Sequence, residues 1–78
     1  MKVKAARLWS ELPVGTEIVF RTNQRDFHYR VEGGDWRRRT LFVSLHRPPR
    51  IRRENTVLLN IHLWMRRGQI LIKRKART

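Results

Sequence analysis

Apolar and polar positions divide the chain into short elements that alternate with turn residues. Residues 2–11 have a helical spacing, because Val3, Ala6 and Trp9 fall on one face of a helix. Residues 12–15 contain a proline and a glycine, which end this element. The pattern therefore predicts one short helix at the N-terminus.

A period of two then replaces the helical period, and this is the spacing of half-buried strands. Phe27, Tyr29 and Val31 alternate with polar residues in a stretch of strong β composition. Pro48-Pro49 stops the last of these stretches, since proline lacks the donor that a strand ladder needs. The predicted strands are residues 16–21, 27–32 and 39–46, with turns at 23–26 and 33–35.

Residues 56–65 permit two interpretations, and the fold depends on the choice between them. As a strand, the segment has an apolar residue at every odd position, while Asn60, His62 and Trp64 share the other side. As a helix, it has Asn55 as its N-cap and an apolar stripe along one face. Periodicity alone does not separate the two.

Gly68 favours the strand. It separates two alternating apolar runs as a hairpin turn does, and residues 70–72 need a partner strand. The preferred fold is mainly β, with five antiparallel strands after a short N-terminal helix, closed into a small SH3-like or OB-like barrel. The alternative is an α+β winged-helix variant, with a recognition helix at 56–67 followed by a basic β-ribbon. Residues 1–78 form one domain in either case, with 74–78 as a basic tail.

Positive charge is concentrated in the second half of the chain. Residues 37–78 contain thirteen Lys or Arg and one acid, Glu54, whereas residues 1–36 contain six basic and five acidic residues. The net charge is +13, and fifteen of the nineteen basic residues are Arg. A field of one sign repels itself, and a polyanion offsets that repulsion. Because the planar guanidinium suits phosphates and base edges, we expect a non-enzymatic protein that binds nucleic acid, RNA or DNA.

Four clusters hold most of this charge, and three of them fall at predicted strand ends or in loops. Because alternate turns of a short meander lie at the same end, the loop at 50–53 is expected near Gly33-Gly34. Such a distribution predicts a stripe that follows a phosphate backbone. The clusters are Arg37, Arg38 and Arg39; Arg50, Arg52 and Arg53; Arg66 and Arg67; and Lys73, Arg74 and Lys75 with Arg77.

Aromatic residues accompany two of these clusters. Trp36 directly precedes the first, and Trp64 lies two residues before Arg66. Exposed rings beside basic residues stack on unpaired bases, so both tryptophans are candidate stacking platforms, with Asn60 and His62 beside Trp64 on the strand interpretation. Trp9 and Tyr29 are assigned to the core instead.

Other functions have weaker support in the sequence. His28, His46 and His62 are groups that a ribonuclease could use as acid and base, but they are scattered and have neither catalytic nor metal-ligand spacing. The chain has no Cys, which excludes thiolate sites, and no metal or cofactor is predicted. The main alternative is a phage-type or mobile-element-type regulator that binds an acidic protein surface, such as that of a polymerase.

The sequence shows no membrane signal. Its longest apolar runs, such as residues 57–59 and 70–72, have three residues, against the roughly 20 of a spanning helix. The N-terminus lacks the continuous apolar block of a signal peptide. We therefore expect a cytoplasmic protein without a membrane partner.

Overall fold

The computed structural model describes residues 3–45 and 55–76. These residues form a mainly β structure, as the sequence predicted, with six antiparallel strands in one sheet and one short α-helix. The strands are β1 (Lys4–Ala5), β2 (Glu17–Arg21), β3 (Asp26–Asp35), β4 (Thr40–Leu45), β5 (Asn55–Leu58) and β6 (Ile70–Arg74). A 3-10 helix covers Trp9–Glu11, and α1 covers Ile61–Arg66.

The strand order in the sheet is β1-β6-β2-β3-β4-β5. Strands β2 to β5 follow one another as a meander, which confirms the predicted strands at 16–21, 27–32 and 39–46 to within a few residues. Strand β6 returns to lie between β1 and β2. Among the described residues β1 and β5 are the two edges, so these pairings do not close the sheet into the barrel expected from the sequence.

The predicted helix at residues 2–11 is wrong. Lys4 of β1 lies opposite Ile72 of β6, and the N–H of Ala6 donates to the carbonyl oxygen of Ile70 at 2.8 Å. The edge of β6 thus supplies backbone partners that a local pattern cannot reveal. An isolated helix this short is also costly to nucleate, so the strand pairing prevails and leaves one 3-10 turn.

The predicted turn at residues 33–35 is also wrong, because β3 continues through both glycines to Asp35. The register between β3 and β4 shifts by one residue between Val31 and Gly33, which marks a β-bulge. Glycine within a strand often accompanies a bulge or a close approach of another group. The strand therefore runs further than its composition suggested, and the turn falls at residues 36–39.

Neither interpretation of residues 56–65 is correct over its whole length. The segment begins in strand β5 and ends in α1, and Asn60 separates the two with a left-handed backbone of φ 54°. Asparagine tolerates this conformation better than most residues. Strand β5 buries Leu58, and α1 buries Ile61 and Met65 one turn apart. The spacing of buried residues therefore changes at Asn60, from that of a strand in β5 to that of a helix in α1.

Gly68 ends the helix instead of turning a hairpin. Its φ is 69°, its N–H donates to the carbonyl oxygen of Met65, and the N–H of Gln69 donates to that of Trp64, both at 3.0 Å. This is the Schellman pattern of a helix C-terminus. A six-residue helix followed by one strand that enters the middle of the sheet also differs from a recognition helix and wing.

Helix α1 packs on one face of the sheet, which we call the inner face and which carries Ile18 and Phe20. Trp9 and Tyr29 are partly buried against this core, as predicted. Within the described ranges, no helix combines the length and the apolar character that crossing a bilayer requires. Val19 and Leu71 are also buried, outside the main cluster, which consists of Ala6, Leu12, Ile18, Val31, Leu41, Val43, Leu58, Ile61, Met65, Ile70 and Ile72.

Candidate nucleic-acid interface

The turn between β3 and β4 exposes one tryptophan and three arginines. Asp35 holds this turn, because its Oδ1 accepts the backbone N–H groups of Arg37 at 3.0 Å and Arg38 at 3.3 Å. The N–H of Arg39 donates to the carbonyl oxygen of Trp36 at 3.2 Å. The Trp36 side chain is 62% exposed. A large exposed ring therefore stands on a turn whose backbone is hydrogen-bonded.

A backbone hydrogen bond attaches this turn to the start of α1. The N–H of Ile61 donates to the carbonyl oxygen of Arg39 at 3.0 Å. Arg39 and Asn60 both have left-handed backbones with φ 54°, which costs a non-glycine residue about 1–2 kcal/mol. Two such residues at one contact indicate that the turn and the helix hold each other in place.

Ring contacts extend this attachment. The His62 imidazole meets the Trp36 ring edge-on, with the centroids 6.3 Å apart, and the Trp9 ring in the same way at 5.8 Å. Trp9 lies over Gly34, where an added Cβ would come within 2.8 Å of the indole. The absence of a side chain at Gly34 is therefore what lets Trp9 reach His62.

The structure thus brings together six residues that the sequence predicted as nucleic-acid-binding. Arg38 has an exposed ion pair with Asp35, its Nε 3.7 Å from Oδ2, but Arg37 and Arg39 have no acidic partner among the described residues. Arg66 lies one helical turn beyond His62 and extends the positive charge along the same side of α1. We call these six residues the turn surface: Trp36, Arg37, Arg38, Arg39, Asn60 and His62.

Trp64, the second candidate stacking residue, lies on the opposite side of α1 from His62 and is partly buried. Its ring centroid is 5.2 Å from that of Phe20, and its Nε1 donates to the carbonyl oxygen of Leu59 at 3.1 Å. The Arg67 guanidinium lies 5.6 Å from the ring centroid. The prediction that Trp64 points outward from a strand is therefore wrong. Because of these contacts, less of the Trp64 ring than of the Trp36 ring is accessible to a base.

Trp64 begins a row of aromatic rings along the inner face. Phe20 is 6.5 Å from Phe27, and Phe27 stacks on Tyr29 at 6.0 Å with nearly parallel planes. The Arg25 guanidinium lies 4.6 Å from the Phe27 centroid. Arg25 was not among the residues predicted from the sequence, although its place in the polar turn before β3 was a signal of an exposed cation.

The structure separates residues that the strand interpretation had grouped. Asn60, His62 and Trp64 do not share one flat face, because Asn60 lies in a left-handed turn and the other two lie on opposite sides of a helix. Arg50, Arg52 and Arg53 fall outside the described residues, as do His46 and Arg77. Lys73 and Arg74 belong to β6, and Lys75 follows it.

The two histidines in the described ranges lie on opposite faces of the sheet. His28 alternates with Phe27 and Tyr29 and therefore lies on the outer face of β3, whereas His62 belongs to the helix on the inner face. The sheet therefore separates the side chains of His28 and His62. Within the described residues, no group of three His, Asp or Glu is arranged to hold a metal ion.

Two ionisable groups among the described residues have shifted pKa values. The Glu11 carboxylate accepts the backbone N–H groups of Arg7 at 2.7 Å and Leu8 at 2.9 Å and pairs with Lys4, and these contacts lower its pKa to about 2. Partial burial raises the pKa of the Tyr29 phenol. The Glu11 carboxylate thus holds together, by hydrogen bonds and an ion pair, the segment that carries Trp9.

No protein-family model, curated protein or solved structure matches this chain. Only the geometry of the described residues therefore indicates a function.

Proposed function

We propose that this protein is a non-enzymatic nucleic-acid-binding protein that holds a single strand of RNA or DNA at the turn surface. Trp36 stacks on an unpaired base, and Arg37 and Arg39 bind the neighbouring phosphates. The observation that carries the proposal is the 62% exposure of Trp36 beside arginines without acidic partners in the described chain. An exposed aromatic ring beside basic residues is the arrangement by which proteins stack on unpaired bases and hold the backbone.

The rigidity of the surface supports the same role. Asp35 fixes the turn, and the hydrogen bond from Ile61 to Arg39 fixes the turn to α1. Because its side chains stand on an ordered backbone, binding orders fewer groups, and less entropy opposes the association. Stacking on an aromatic ring is tolerant of base type, since every base has a π-face. We therefore expect general binding of single strands with modest sequence preference.

A salt titration tests the proposal. Binding of labelled single-stranded RNA, single-stranded DNA and duplex DNA is measured by fluorescence anisotropy over a range of salt concentrations. Each phosphate contact on a single strand contributes about 0.7 to the slope of log affinity against log salt. The double variant R37Q/R39Q should therefore lower the slope by about 1.4 if both arginines contact phosphate.

The matched control is R21Q/R30Q, which also removes two positive charges but at a different place on the surface. Arg21 and Arg30 alternate with inner-face residues of β2 and β3, so they lie on the outer face. If both double variants weaken binding equally, net charge alone attracts the nucleic acid and the turn surface is not the site. If no nucleic acid binds at low salt, the proposal fails and an acidic protein surface becomes the partner to seek.

A further inference from the structure

A cleft of about 420 Å³ opens between the N-terminal segment and the end of β6. This volume lies within the about 300–1,000 Å³ typical of small-molecule sites. Pro13 and Ile72 supply apolar parts of its wall. Its polar lining comes from Lys4, Ser10, Glu11, Lys73, Arg74 and Lys75.

An irregularity in β6 explains how consecutive basic residues line one cleft. In a regular strand, neighbouring side chains alternate between the two faces. Here Ile18 pairs with Ile72 but Glu17 pairs with Arg74, so β6 contains one extra residue, Lys73. Such a bulge re-aims the side chains around it. Lys73, Arg74 and Lys75 therefore contribute together to the lining.

The charges of the cleft are only partly neutralised. Lys4 Nζ lies 3.2 Å from Glu11 Oε1, and Arg74 Nε lies 3.3 Å from Glu17 Oε2. Glu11 also accepts two backbone N–H groups, so its carboxylate is already satisfied. Among the described residues, Lys73 and Lys75 have no acidic partner. Two lysines without acidic partners in the described chain thus line a cleft that Ser10 also lines.

We propose that this cleft is a binding site for a phosphate group, distinct from the turn surface. Lysine binds phosphate as a point charge, and the Ser10 hydroxyl supplies a donor for a further phosphate oxygen. The apolar wall suits the organic part of a phosphate ester. A free mononucleotide and a phosphate of a bound strand offer this same chemistry. The inference does not depend on the proposed function, since a free ester would occupy the cleft by itself.

Titration with small ligands tests the free-ligand source. Backbone amide shifts are followed by NMR while AMP or inorganic phosphate is added at low salt, with adenosine as the uncharged control. We expect saturable shifts around Ser10 and Lys73 with the phosphorylated ligands and none with adenosine. The variant K73Q/K75Q should weaken AMP binding about fivefold, while R21Q/R30Q leaves it nearly unchanged.

Titration with a single-stranded oligonucleotide tests the second source. If the phosphate belongs to a strand, K73Q/K75Q weakens oligonucleotide binding more than R21Q/R30Q does, and its effect adds to that of R37Q/R39Q because the two sites share no residue. The inference is overturned if K73Q/K75Q behaves as R21Q/R30Q towards both AMP and the oligonucleotide. That result is independent of R37Q/R39Q, so failure of the cleft and failure of the turn surface are distinguishable.

Discussion

Two tryptophans of this chain have similar sequence neighbours and different surroundings in the fold. Trp36 is followed by three arginines, and Trp64 by one methionine and two arginines. Trp36 is 62% exposed at a turn, whereas Trp64 is partly buried against Phe20. Proximity to positive charge in the sequence therefore does not tell a binding ring from a packing ring.

The difference arises from the residues on either side. Met65 follows Trp64 and is buried with Ile61, so the helical period turns Trp64 towards β2. Trp36 stands in an exposed turn between two half-buried strand ends, and its ring contacts the edge of the His62 ring. A ring next to an anchored helix residue is drawn into the core, whereas a ring on a turn stays in solvent.

The largest expected effect separates the two rings by stability. Trp64→Ala should lower the free energy of unfolding by about 2–3 kcal/mol, somewhat less than a fully buried tryptophan would. Trp36→Ala should change it by less than about 0.5 kcal/mol, as exposed substitutions usually do. Urea denaturation of both variants measures this. Equal losses of stability would show that the two rings have the same structural role.

A second prediction concerns the packing of Trp9 over Gly34, through which Trp9 reaches His62, the contact of Trp36. Gly34→Ala should destabilise the protein by about 1–2 kcal/mol, because its Cβ would collide with Trp9 and crowd the carbonyl of Thr40 at 3.1 Å. Gly33→Ala is the matched control, since its Cβ would meet Phe42 at an ordinary 3.6 Å. Thermal unfolding compares the two. A larger loss at Gly33 would contradict the packing described for Trp9.

The third prediction separates the rings by binding. Trp36→Ala should weaken single-strand affinity by about 1 kcal/mol, the lower end of the range for one stacked base, and Trp36→Phe should restore part of it. Phe20→Leu serves as the control, because it alters the packing beside Trp64 and leaves the turn surface intact. Anisotropy titrations give the affinities. Weaker binding by Phe20→Leu than by Trp36→Ala would assign the stacking role to the Trp64 side.

The smallest effect tests the segment that carries Trp9. The pKa of Glu11 is lowered in the folded state to about 2, so its contribution to stability is present above its ordinary value of 4.5 and is lost as the pH falls towards 2. Glu11→Gln should therefore be less stable than the natural chain at neutral pH, and the gap should close on acidification across that window. Denaturation curves at several pH values measure it. A gap that does not change with pH would mean that the charge of Glu11 is unimportant.

Local pattern accounts for the elements whose partners lie nearby in the chain. The strands predicted at 16–21, 27–32 and 39–46 are confirmed because their alternation reflects one buried face and their neighbours follow in sequence. The N-terminal segment was predicted wrongly because its partner, β6, lies more than sixty residues away. The helical spacing of its apolar residues reflects the burial of Ala6, but it gives no sign of the pairing between this segment and β6.

The candidate site shows the same division. Arg37, Arg38 and Arg39 were candidates from the sequence because of their charge beside Trp36, but they were predicted at the start of a strand and lie in the turn at residues 36–39. The cleft at the end of β6 was not evident, because it depends on a bulge and on the approach of Lys4 and Ser10 from the other end of the chain. A local sequence pattern cannot show that these distant residues line one cleft.

By itself the sequence determined the β-rich character, the concentration of positive charge in the second half, and the candidate residues of the turn. These properties follow from composition and from short-range periodicity, which act on each segment separately. The tertiary structure alone decided the place of β6 in the sheet, the change from strand to helix at Asn60, and the different burial of Trp36 and Trp64. Each of these depends on backbone and side-chain contacts between distant segments, and such contacts override local preference when they satisfy more hydrogen bonds and bury more apolar surface.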